Sequence, residues 1–247
     1  MSESKQVPVS TTPTSLSDVF TDSGLSDVVA GTCAVAAGVI AITAKAAGAV
    51  CWEIGAGTVK GCKEVYKLCK EGKYPVENLK MAYTPISNFD GLAHMLEGQG
   101  FKLNPEVTTP DLGLSVAFNP LTSERLFVVN SSDGIGLISE SNDLIQSSIQ
   151  GFATQEISLV LEEMGLKVTV EEKGKSNVIT ANDKEKNNIE IKIDKESAVV
   201  HVDTRKSRRP KCDLIHQLIS QKLKEPNRNR NSGHQIKKKQ DVIQIKK

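Results

Sequence analysis

The chain has 247 residues, 31 Lys/Arg against 30 Asp/Glu, an apolar fraction of 38% and an aromatic fraction of 4%. That length gives room for one large domain or two small ones, and so few aromatics leave any core to Ile, Val, Leu and Ala. The net charge of +1 hides an asymmetry: 14 Lys/Arg face three acids from Arg205 onward, whereas residues 1–204 carry 17 Lys/Arg and 27 acids. Such a split points to a C-terminal region with an electrostatic task of its own.

Residues 1–25 are rich in Ser, Thr and Pro and are expected to be disordered. The opening MSESKQVPVS lacks a basic stretch followed by an apolar run, so no secretory leader is expected. The five cysteines (Cys33, Cys51, Cys62, Cys69, Cys212) form no CxxC pair, which argues against a zinc site. The expected setting is reducing and intracellular, cytoplasmic or membrane-associated with the body in the cytoplasm, and not secreted.

Residues 26–74 form an Ala/Gly-rich segment read as helical. Val28–Ala44 is free of charge, then comes Lys45, then seven more uncharged residues to Trp52. Small residues four apart, Ala34/Gly38 and Ala44/Gly48, suit close helix packing. Three alternatives stand: a buried or self-associating helix, a transmembrane span at the lower edge of the required length, and an interfacial helix. Self-association is thus expected through residues 28–52. Were the segment to span, the lysines after it (Lys60, Lys63, Lys67, Lys70, Lys73) would hold the body in the cytoplasm. On one unbroken helix Cys33, Cys51, Cys62 and Cys69 would share a face; packing is the favoured role, with a helix break expected at Gly55, Gly57 and Gly61.

An internal repeat with an offset of 65 residues organises residues 80–225. Leu96-Glu97-Gly98-Gln99-Gly100-Phe101-Lys102-Leu103 lies over Leu161-Glu162-Glu163-Met164-Gly165-Leu166-Lys167-Val168. In both copies a helix should end at a left-handed glycine and lead into a strand. At the same offset Leu112–Phe118 lies over Asn177–Asn182, Glu124–Asn130 over Ile189–Lys195, and Gly134–Ser139 over Val199–Thr204. Ile189-Glu190-Ile191-Lys192-Ile193 and Val200-His201-Val202 alternate as half-buried antiparallel strands do. Asn142 can cap a helix burying Leu144, Ile145, Ile149, Phe152, Val160, Leu161 and Met164, and a last helix is expected from Lys211 to Lys224. The fold class expected is α+β: helix plus four antiparallel strands, twice, with helices on one face and a closing C-terminal helix.

The stretch Ile149-Gln150-Gly151-Phe152-Ala153-Thr154 through Gly165-Leu166-Lys167-Val168-Thr169-Val170-Glu171-Glu172 resembles the hypothetical-chloroplast-reading-frame family of plastids, cyanobacteria and other bacteria. Its earlier helix–Gly–strand unit corresponds to Phe89–Leu103, so the resemblance runs over about residues 88–182. Ile189–Leu223, two strands and a helix opening at Cys212, is similar to a small companion family of bacterial proteins. Both families are uncharacterised. The resemblance implies association with an AAA-type ATPase and carries over no catalytic residue.

No residue pattern nominates a catalytic centre, a cofactor or a metal. Gly55-Ala56-Gly57-Thr58-Val59-Lys60-Gly61 lacks the Gly-Lys-Ser/Thr ending of a phosphate loop and reads as a connection or close-packing segment. His94, His201, His216 and His234 are isolated; Asp213 with His216 is an acid/base pair at helical spacing, read as a surface pair. Asp183, Glu185 and Asp194 are too dispersed for a calcium loop. The candidate anion-binding residues are Arg205, Lys206, Arg208, Arg209 and Lys211 in one cluster and Lys237, Lys238 and Lys239 in the basic tail 226–247, expected to be disordered. Protein, acidic lipid or nucleic acid could engage them, though the absence of aromatics disfavours base stacking. The leading expectation is a non-enzymatic interaction or adaptor protein; the alternative is a nucleic-acid-associated protein binding phosphate backbone through its basic C-terminal region.

Overall fold

The computed structural model describes residues 56–109, 112–132, 134–182 and 188–195, with the segments 5–8, 14–16, 33–36, 39–44, 50–54 and 199–203. It is a mixed α+β fold. The first helix, α1 (Ala56–Lys70), follows three short strands, β3 (Cys33–Ala36), β4 (Val39–Ala44) and β5 (Val50–Ile54). Of the expected Ala/Gly helix of residues 26–74, the described residues place 56–70 in a helix and 33–36, 39–44 and 50–54 in strands. Val35, Val39, Ile40, Ile42, Thr43 and Val50 are β-branched and favour extended backbone, and the pairings Cys33↔Ile42 and Ile42↔Trp52 join the three strands in antiparallel order. The helix runs through Gly57 and Gly61 rather than breaking there.

The larger sheet contains β6 (Lys80–Thr84), β7 (Lys102–Thr109), β8 (Leu112–Phe118), β9 (Arg125–Ser131) and β10 (Gly134–Ser139), joined at one edge by β2 (Thr14–Ser15), in the order β2-β6-β10-β9-β8-β7. The smaller sheet contains β11 (Lys167–Lys173), β12 (Ser176–Asn182), β13 (Asn188–Asp194) and β14 (Val199–Asp203), with β1 (Lys5–Pro8) beside β14. Residues 1–25, expected to be disordered, thus supply two edge strands, and Leu16 is buried with its N–H bonded to the Leu79 carbonyl at 2.7 Å.

Helix α2 (Phe89–Gly98) precedes β7 and helix α3 (Asn142–Glu163) precedes β11. Asn88 caps α2, its side chain accepting from Gly91 N at 3.1 Å. Ser141, not Asn142, caps α3, accepting from Leu144 N at 3.2 Å; Ser141 has the extended backbone (φ −92°, ψ 113°) that an N-cap needs. Both helices end as expected, at Gly100 (φ +90°) and Gly165 (φ +79°), where a left-handed turn is cheap only for glycine.

The larger sheet is covered on both faces, which corrects the expectation of helices on one face. Ala82, Ala117, Leu126, Val128, Ile135 and Leu137 point toward α2 and α3, in a core that also takes Ile179, Ala181, Ile189, Ile191 and Ile193 of the smaller sheet. Met81, Tyr83, Leu114, Val116, Phe127 and Val129 point the other way, against Val59, Cys62 and Val65 of α1. α3 touches β6 and β10 on one side and β11, β12 and β13 on the other. The layers are α1, larger sheet, α2 with α3, and smaller sheet. The expected closing helix at Lys211–Lys224 and the tail 226–247 lie outside the described residues.

Candidate functional site

Charged and aromatic groups gather where the chain leaves α1 and crosses the larger sheet. Lys73 Nζ and the Tyr74 hydroxyl both donate to the Glu106 carboxylate, one to each oxygen. The Tyr74 ring meets Phe127 edge-on at 5.3 Å between centroids. The Arg125 guanidinium lies 5.1 Å from the Tyr74 centroid and 5.8 Å from that of Phe118, in reach of a cation–π attraction. Glu106 owes its place to a bulge: the β7–β8 register shifts between Pro105 and Val107, and an extra residue re-aims its neighbour's side chain.

The electrostatics of this cluster are set by its bonds. The hydrogen bond from Lys73, then that from Tyr74, holds Glu106 below the usual carboxylate range. Burial, with the bond to Glu106 second, pushes the Tyr74 phenol up to about 12. Cys69, half-buried beside Arg125, is pushed up to about 11 by burial, so its thiol stays protonated at neutral pH and is a poor nucleophile. The arrangement fastens the 71–79 strap over β7 and β9. It offers an ion pair and a hydrogen bond but no activated nucleophile.

A second polar junction ties α2 to α3. Glu156, 2% exposed, accepts from Asn88 Nδ2 at 3.0 Å, and Gln155 Nε2 donates to the Gly91 carbonyl at 3.2 Å. A Cβ on Gly91 would stand 2.6 Å from Asn88 Nδ2 and 2.7 Å from Glu156 Oε1, so only glycine lets the helices meet there. Ser148 and Ser158 Oγ are buried in α3 without a hydrogen-bond partner.

The outer face of the smaller sheet carries charged residues around a buried Val178. The ladder puts Glu171, Val178, Lys192 and His201 in one row and Thr169, Thr180, Glu190 and Asp203 in the next. Lys173 pairs with Glu171 at 3.0 Å and Lys192 with Asp194 at 2.9 Å; Asp194 also accepts from Ser176 Oγ. Glu171, Lys173 and Lys192 are exposed.

The residues singled out in the sequence fare unevenly. Cys62 is buried with its Sγ 3.7 Å from Met81 Sδ, donating to it, and burial pushes its thiol up to about 12. Cys33 and Cys51 sit on β3 and β5, so the four cysteines do not line one helix face. Gly61 is a close-packing residue: a Cβ there would strike Val129 Cγ1 and come within 2.9 Å of Leu112 Cδ1. His94 lies exposed on α2. Arg205, Lys206, Arg208, Arg209, Lys211, Cys212, Asp213, His216, Lys237, Lys238 and Lys239 lie outside the described residues, as do Asp183 and Glu185. The Lys73–Glu106–Tyr74 cluster had no local signature, since its members are 32 and 33 residues apart. Among the described residues no group of three His, Cys, Asp or Glu is placed to hold a metal ion, and no helix is long and apolar enough to cross a membrane.

No family model, curated protein or solved structure matches the chain.

Proposed function

We propose that this chain is a non-enzymatic interaction or adaptor protein, membrane-associated through residues 28–52 and working with an AAA-type ATPase. The observation that carries the reading is the contrast between the sheets. The larger is covered on both faces, while the smaller exposes Glu171, Lys173 and Lys192 on its outer face around a buried Val178. A face that exposes both signs of charge, at Glu171, Lys173 and Lys192, suits a protein partner of complementary pattern. The ATPase as that partner rests on the resemblance of Ile149–Glu172. The two helix–meander units are read as a tandem repeat closed by a helix at 211–224.

The second reading, phosphate-backbone binding through the basic C-terminal region, is favoured by the 14 Lys/Arg against three acids from Arg205 onward. It is opposed by the acidic body, since a sheet with carboxylates on it repels a nucleic acid.

The test is affinity purification from the native host of three chains: full length, lacking 205–247, and full length with Glu171→Lys, Glu190→Lys and Lys192→Glu. An ATPase captured by the first two and lost from the third supports the adaptor reading. Nuclease-sensitive capture that disappears with residues 205–247 replaces it with the second.

A further inference from the structure

We propose that the exposed side of α1 is a lysine row that binds the anionic headgroups of a phospholipid bilayer. The proposal deepens the membrane part of the function above and is independent of its ATPase part.

Lys60, Lys63, Lys67 and Lys70 recur every three or four residues along α1, and all four are exposed. At 1.5 Å rise per residue they form a stripe about 15 Å long. Lys73, also exposed, extends it past the helix end. The opposite side of the helix is committed to the larger sheet through Val59, Cys62 and Val65, buried against Phe127 and Val129. The row therefore faces away from the body. Among the described residues, Lys67 and Glu71 stand 4.0 Å apart with both side chains more than half exposed, Lys70 lies 4.6 Å from the Tyr66 ring centroid, and Lys73 at the end of the row pairs with Glu106.

This row is an exception on an acidic body. Residues 56–80 carry six lysines against three glutamates, whereas 81–203 carry nine bases against 19 acids. Within residues 56–203 the attraction to an anionic surface is therefore concentrated on α1, and the basic region from Arg205 onward adds an attraction of its own.

A bilayer is preferred over a nucleic acid because of what adjoins the row. Val28–Ala44 and Ala46–Trp52 are charge-free, and β4 in that segment runs against α1. Apolar chain beside a basic helix supplies both signals that lasting attachment to an anionic leaflet requires. A phosphate backbone would use the lysines and leave the apolar segment without a role.

The experiment floats the full chain with vesicles of phosphatidylcholine containing phosphatidylserine and with vesicles of phosphatidylcholine alone. Binding is expected to the first and to fall steeply at about 1 M salt, where the Debye length is about 3 Å. Combined Lys60→Gln, Lys63→Gln, Lys67→Gln and Lys70→Gln should weaken it by about a hundredfold or more, given about 1 kcal/mol per lysine near such a surface. The same positions changed to Arg should retain it, and an unchanged thermal melt of the Gln variant shows that the fold persists. Equal binding to both vesicles, full binding by the Gln variant, or loss on removing 205–247 alone would each overturn the assignment. So would preferential binding of a duplex RNA to the same lysines. If the lysine row fails while partner capture survives, the adaptor reading stands without this site.

Discussion

The two four-stranded meanders that follow α2 and α3 differ on one face only. Pairing registers traced outward from Lys102 and Lys167, which open β7 and β11, bring Arg125 to the place of Asn188. Two and four residues further, Phe127 and Val129 occupy the places of Glu190 and Lys192. The inward positions between them match in kind, Leu126 with Ile189 and Val128 with Ile191, all buried in the shared core. Outward, Phe127 and Val129 lie under α1, while Lys192 is exposed. Burial on two faces requires apolar residues at every position, and burial on one permits alternation. What distinguishes the meanders is the helix laid over the first.

The largest effect should come from exchanging the two patterns. Val129→Lys puts an unpaired ammonium under α1 beside Gly61 and should cost more than about 4 kcal/mol, enough to unfold a marginal domain. Lys192→Val, at the matching place of the other meander, loses only a half-exposed ion pair with Asp194 and should move stability by less than about 1 kcal/mol. Urea midpoints of the two variants make the comparison. Similar losses would mean that the smaller sheet is covered as completely as the larger.

Next is Gly61→Ala. The added methyl meets Val129 and Leu112 at the line where α1 rests on the sheet, and overpacking of this kind costs about 1–3 kcal/mol. Gly98, in α2, has nothing within 4 Å of a Cβ, so Gly98→Ala should be neutral or gain up to about 1 kcal/mol from helix propensity alone. If the two changes gave the same midpoint, the close approach of α1 would not hold in solution.

The Tyr74–Glu106 clamp gives an effect of similar size with a pH signature. Glu106 has its pKa depressed when folded, so its contribution is present above about pH 4.3, its unfolded value, and is lost as pH falls through the folded pKa. Tyr74 is raised to about 12; its contribution is full below about pH 10 and is lost as pH rises toward the folded value. Tyr74→Phe should cost about 1.5–3 kcal/mol at neutral pH, the range of a bond to a charged acceptor, and should flatten the alkaline limb of the stability curve. An unaltered alkaline limb would place the titrating group elsewhere.

Much of the fold was legible in the chain because its signals are local. Gly100 and Gly165 announce two helix ends, and Ile189-Glu190-Ile191-Lys192-Ile193 writes a one-sided strand in plain alternation. The constant offset of 65 holds at those glycines and at the first residues of β7 and β11. It drops to 64 at the ends of β8 and β12, where the β7 bulge has added a residue, and to 63 at β9 and β13, because 119–124 is one residue longer than 183–187. The strands β3, β4 and β5 were hidden by composition: Ala and Gly suggest a helix, while Val35, Val39, Ile40, Ile42, Thr43 and Val50 favour extended backbone. The clamp was illegible since Lys73, Tyr74 and Glu106 meet only through the fold. The lysines of α1 were visible as a count, but the side they share depends on which side Val59, Cys62 and Val65 bury.

The smallest expected effect concerns those lysines and separates stability from binding. Lys67→Ala removes the 4.0 Å pair with Glu71, exposed on both sides, and should change the urea midpoint by no more than about 0.5 kcal/mol. Lys60→Gln and Lys63→Gln should be equally mild, since Gln and Lys have similar helix propensity. A row of exposed cations that the fold scarcely feels gains nothing for stability by its alignment on one side of α1. A large stability loss from any one of these changes would make the row part of the scaffold. A flat stability response with weakened binding to acidic vesicles is what an attachment surface gives, and it would add a second contrast between the layers: α1 covers the larger sheet and takes its own face to a membrane, while the smaller sheet keeps its face for a protein.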